Sequence, residues 1–194
     1  MEKAMAGRNL FCVSLIDPET PEELSKRYWL EVEGQVARLE RSFGRVNKLY
    51  HEANYLAEEA GLKHIKRLNE KAYQLIKSKV DAGAKVEALE DRELFLGIAD
   101  CQLFLTLRFS SKEVLDKVSK LTPEIAQVYE KALQKRREHI PKQISDTLKD
   151  GETGMLVMRE EERIKIQFPP EINVILVRPP ALSEIEKWQR EHQR

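Results

Sequence analysis

The chain has 194 residues, 41% hydrophobic and 34% charged, with 33 basic side chains against 33 acidic ones. That length can bury one substantial core. The balanced charge argues against a general affinity for nucleic acid or an anionic membrane surface. The two cysteines, Cys12 and Cys101, both lie in apolar runs, with no CxxC pair or Cys/His cluster to suggest zinc. They read as buried thiols of a reduced, cytoplasmic protein. The opening residues 1–8 are polar and mixed in charge, and the apolar run from Leu10 to Ile16 is too short for a signal sequence or a membrane span.

Leu10-Phe11-Cys12-Val13-Ser14-Leu15-Ile16 is nearly continuous apolar sequence and predicts a strand buried on both faces, hence central. Thr20-Pro21-Glu22-Glu23 predicts a helix start, with Thr20 as N-cap, Pro21 as first helical residue and Glu23 closing a capping box. Leu24, Tyr28, Val32, Val36, Leu39 and Phe43 then recur at helical spacing as far as Gly44. A strand follows over 46–52. Residues 53–64 read as loop with at most one helical turn, ended by Gly61. Ile65, Leu68, Ala72, Leu75, Ile76 and Val80 predict a single helix that stops at Gly83, and 84–89 reads as a short edge strand.

Residues 92–108 differ. Leu94, Phe95, Leu96, Ile98, Cys101, Leu103, Phe104, Leu105 and Leu107 leave little polar face, which predicts a helix buried in the core or shared with a partner. Ser110-Ser111-Lys112-Glu113 is a second capping box, opening a short helix to Leu121, and Thr122-Pro123-Glu124 restarts the pattern. Pro141 removes a backbone donor and predicts a break near 139–141, with the stripe resuming at Ile144 and Leu148. Strands are expected over 154–158 and 172–177. The alternating run 164–168 reads as strand or extended loop. Leu182, Ile185 and Trp188 predict a C-terminal helix docked on the sheet.

Three times an amphipathic run stops at a glycine (Gly44, Gly83, Gly151) and gives way to a short aliphatic stretch. This rhythm predicts an α/β fold: one domain over 1–194, with a central, mainly parallel sheet of four to six strands and helices on both faces. A helical segment, 92–148, separates the N-terminal strands from the C-terminal ones.

Open sheets of this kind bind ligands at the carboxyl ends of their strands. The candidate rim is therefore Asp17, His51, Glu52, Asp91, Arg159 and Glu160, with Asn54, Glu90, Glu161 and Arg163 beside it. An acid-rich rim could hold a divalent cation or supply an acid–base pair, and mutual repulsion would raise a carboxylate pKa there. No HxE, DxD or HxxxH spacing is present, so no metal, cofactor or catalytic set is assigned. The basic run Lys131, Lys135, Arg136, Arg137, His139 and Lys142 is flanked by Glu130 and Glu138 and reads as a solvated helix face. Gly151-Glu152-Thr153-Gly154 precedes a strand, which makes it a tight turn rather than a phosphate loop.

Arg137-Glu138-His139-Ile140, then Ile144, then Leu148 through Leu156, followed by Pro170-Glu171-Ile172-Asn173-Val174-Ile175, resembles the C-terminal block of a small uncharacterised prokaryotic α/β family. Gly83-Ala84-Lys85-Val86-Glu87 with Glu90-Asp91 is similar to its middle block. The Arg … Leu-x-x-Gly-Glu-x-Gly order is also distantly similar to the last helix–strand unit of TraB-like and erythromycin-esterase-like proteins. Where family members carry Gly-Ala-x-His, this chain has Met158-Arg159-Glu160-Glu161. The resemblance implies an α/β fold and no assigned activity. Two functional readings follow. The first is an interaction or regulatory protein, acting as a homo-oligomer or on a protein partner, through helix 92–108 or the C-terminal helix. The alternative is an enzyme with an acidic strand-end site, carrying out metal-assisted hydrolysis.

Overall fold

A computed structural model describes residues 7–192, so the first six residues of the polar opening segment lie outside it. In chain order the elements are β1 (Arg8–Ser14), α1 (Glu22–Phe43), β2 (Val46–His51), α2 (Glu58–Leu68), α3 (Glu70–Asp81) and β3 (Lys85–Val86). There follow α4 (Arg92–Thr106), α5 (Lys112–Thr147), β4 (Thr153–Met158), α6 (Glu160–Arg163), β5 (Ile172–Val177) and α7 (Pro180–His192). The five strands form one sheet in the order β3-β2-β4-β1-β5, and every pairing is parallel. The centre of the sheet is β4 rather than the expected β1, which lies inside the edge strand β5, with Leu10 opposite Gly154 on one side and Val174 on the other.

A parallel sheet must be covered on both faces, and alternation along β1 sorts its side chains accordingly. Phe11 and Val13 face Tyr28, Val32 and Val36 of α1, Ile65 and Ile76 of α2 and α3, and Leu182 and Ile185 of α7. Leu10 and Cys12 face the opposite core, with Ile140, Ile144 and Leu148 from the end of α5. Gly44 and Gly151 have φ of +96° and +79°, so the chain turns from helix into strand through a conformation costly for other residues.

Several local expectations are corrected. The first capping box does not form: α1 begins at Glu22, with Pro21 in extended geometry at the N-cap, and Thr20 Oγ1 is buried without a partner. Ser111 likewise makes no side-chain cap. Gly61 is not a stop but lies inside α2, where a Cβ would come within 2.3 Å of the Leu56 carbonyl oxygen. The helix expected through Ile65 and Val80 is two helices, divided at Asn69. Its backbone is extended, and its Oδ1 accepts the Ala72 N–H at 2.8 Å, capping α3. Of the two readings for 164–168, the structure takes the loop: a turn and coil that bury Ile166.

Two larger corrections concern the helical segment. Helix α5 runs unbroken through Pro123 and Pro141. Proline inside a helix costs about 3 kcal/mol. Full burial of a large aliphatic side chain returns about 1.5–3 kcal/mol, and Ile140, Ile144 and Leu148 are all fully buried around Pro141. Packing therefore outweighs the missing bond. Helix α4 is not a core helix: Leu103 is 61% exposed. With the first half of α5 it forms an arm in which no residue from 99 to 135 is fully buried.

Candidate active site

Because every strand is parallel, all carboxyl ends open on one edge of the sheet. A cavity of about 740 Å³ lies there. Its floor is the chain leaving β1 (Leu15, Ile16, Asp17) and β2 (His51, Glu52, Ala53), with Arg159 after β4. Phe95 and Ile98 of α4, with Tyr129, Leu133 and Arg136 of α5, make an opposite wall that is largely apolar.

The polar frame is an interlocked set of ion pairs. Arg159 gives its backbone N–H to Glu52 Oε2 at 2.9 Å and its Nη2 to Glu52 Oε1 at 2.7 Å. Arg136 is buried and grips Glu90 with two bonds, Nε to Oε2 at 2.9 Å and Nη2 to Oε1 at 2.7 Å. It also reaches Glu162 at 3.2 Å and Glu52 at 3.5 Å. Burial pushes the Glu52 pKa up, but the hydrogen bonds and charge of Arg159, joined by Arg136, outweigh it and hold the carboxyl below its ordinary range. Glu160 is also lowered, chiefly by its hydrogen bond from Arg163. The expected repulsion between rim acids is thus absent at both residues, because arginines separate them.

Two strained or unsatisfied features sit at this frame. Ala53 has φ of +64°, with its N–H on Glu90 Oε1 at 3.2 Å, an unfavourable backbone conformation held by a buried carboxylate. His51, the last residue of β2, is 1% exposed. Its Nδ1 lies 2.5 Å from the Glu52 carbonyl oxygen. A carbonyl only accepts, so Nδ1 carries the proton and the neutral ring has its lone pair on Nε2. Nε2 is buried and has no hydrogen-bond partner. Burial lowers the His51 pKa against the opposing effect of that carbonyl, so the ring is neutral at pH 7.

Of the expected rim residues, Asp17, His51, Glu52 and Arg159 bound the cavity, as do Glu161 and Glu162. Asp91 and Glu160 leave the same sheet edge but are engaged elsewhere. Asp91 caps α4, its Oδ1 accepting the Leu94 N–H at 2.8 Å. Glu160 pairs with Arg163 and Arg178. Asn54 ties the loop after β2 to the carbonyls of Leu56 and Glu87. Arg136 overturns the reading of its segment as a wholly solvated face. The signal was available: Arg136, Ile140, Ile144 and Leu148 are spaced by four and share one helical face. Among the described residues, no group of three or more His, Cys, Asp or Glu side chains is placed to hold a metal ion.

The fold and site define an α/β protein with a strand-end cavity. Compared with known proteins, the chain matches no family model, no curated protein and no solved structure.

Proposed function

We propose that the chain is an enzyme that acts on a small molecule in the strand-end cavity, with His51 as general base. The observation that carries this reading is the neutral His51 ring, fixed through Nδ1 and left with an unpartnered Nε2. Such a nitrogen has a lone pair with which to accept a proton from a bound group, and burial makes it a weaker base than an ordinary histidine. The proton would come from a substrate O–H or C–H, or from a water attacking an ester, and the imidazolium formed keeps its Nδ1–H on the Glu52 carbonyl. Arg159 commits Nε and Nη2 to Glu52, and its Nη1 has Glu161 only at 3.8 Å. That guanidinium lines the same cavity and would balance an anion forming on the substrate. Phe95, Ile98 and Leu133 suit an apolar body on the same molecule.

The test is turnover of a panel of carboxylate esters, phosphate esters and 2-oxo acids, followed by NMR. The native chain should convert at least one class, and His51→Gln should lose about 10²–10⁴-fold while unfolding as cooperatively as the parent. No turnover by the native chain, or equal turnover by the variant, would overturn the reading.

An interaction role is a second reading, favoured by the exposed leucines of the α4–α5 arm. A cytoplasmic location is proposed on the two free thiols, Cys12 and Cys101. No helix among the described residues is long and apolar enough to cross a membrane.

A further inference from the structure

We propose that the α4–α5 arm pairs with the same arm of a second copy, the two α5 helices running antiparallel and crossing at Leu121. On α5 the apolar residues Val114, Val118, Leu121, Ile125, Val128 and Ala132 alternate spacings of four and three. That is the repeat of a helix meant to pack along its length against others. Val118, Ile125 and Ala132 are half-buried, whereas Val114, Leu121 and Val128 are 39%, 49% and 54% exposed. Helix α4 thus covers one flank of the stripe and leaves the other open.

Charge selects the occupant. Lys117 and Glu124 are exposed and border the open row, four residues before Leu121 and three after it. In an antiparallel pair crossing at Leu121, residues equidistant from the crossing face each other. Val114 meets Val128 of the partner subunit, Leu121 meets its own counterpart, and Lys117 comes within one residue of facing Glu124 of the partner subunit, on the same side of the interface and twice by symmetry. A parallel pair would carry the Lys117–Glu124 row of the two helices to opposite sides of the interface, where neither charge meets the other. The geometry also leaves room. The first residue of the second α5, Lys112, falls opposite residue 130, six residues or about 9 Å short of the buried Arg136. Two such hairpins make a four-helix bundle. The pairing would brace the arm whose base walls the cavity.

Sedimentation equilibrium from about 10 to 500 µM should show a monomer–dimer equilibrium, as expected for a small interface. Leu121→Lys, at an exposed position, should give a monomer of unchanged helicity. Lys117→Glu and Glu124→Lys should each weaken dimerisation at least about tenfold, and together restore it. In a Cys101→Ser background, Leu121→Cys should oxidise to a covalent dimer much faster than Lys120→Cys. A monomer at every concentration, a dimer indifferent to Leu121→Lys, a double swap that fails to restore pairing, or equal cross-linking of the two cysteines would overturn the proposal.

Discussion

His51 and Arg136 illustrate how one burial environment treats two cations oppositely. The imidazole can lose its charge, so burial leaves it neutral. The guanidinium cannot, so it must be matched by Glu90, Glu52 and Glu162. The sign of the pH response follows. The unfolded His51 ring takes up a proton near its ordinary value of 6.5, whereas the folded ring resists. Below that pH the unfolded chain binds more protons and stability falls. His64, lowered by burial and by Arg67, adds to the same step. Glu52, also lowered, adds a further loss once the pH passes below its ordinary value of 4.5. The urea midpoint should therefore drop between pH 7 and 5.5, and His51→Gln should shrink that drop; an identical drop would contradict the assignment. Arg136→Met strands the Glu90 carboxylate in the interior and should cost about 3–5 kcal/mol in urea unfolding. Adding Glu90→Gln should recover part of it. The rim residues could be read from their positions after apolar runs. The role of Arg136 could not be read from composition, because a basic run looks solvated until its helical phase is followed into Ile140 and Ile144.

At the scale of elements, strands and glycine-terminated helices were legible because burial leaves a direct mark: continuous apolar runs such as Leu10 to Val13, and stripes such as Tyr28, Val32 and Val36. Helix boundaries were less so. Asn69 divides two helices by an extended backbone and a side-chain cap, which a continuous apolar stripe conceals. Pro141 fails to divide one because the isoleucines and leucine around it are anchored to the sheet. Pro141→Ala should restore a backbone bond without lengthening the helix and should stabilise the protein by about 1–3 kcal/mol. Destabilisation in a thermal melt would show that the ring itself packs. Helix α4 misled because apolar composition does not say whether the covering surface belongs to the same chain. Leu103→Ala should change monomer stability by less than about 0.5 kcal/mol, against the 2–5 kcal/mol of a core leucine, and urea unfolding of dilute protein separates the two.

At the scale of the whole molecule, strand order was not in the sequence. The interior position of β1 was readable from its two-sided burial, but β4 takes the centre of the sheet, between β1 and β2, only through contacts spanning more than a hundred residues. The same long-range closure builds the site, since the exits of β1, β2 and β4 and the base of the α4–α5 arm meet only when the sheet forms. The cavity is thus a consequence of topology, and His51 is where that topology buries a titratable ring with one nitrogen committed and the other unpartnered. Nitrogen-15 NMR of the His51 imidazole, assigned by comparison with His51→Gln, tests this most directly. The account predicts a ring protonated on Nδ1 alone at pH 7, with Nε2 remaining unprotonated as the pH passes below 6.5. A proton on Nε2 at pH 7, or titration at or above 6.5, would contradict it.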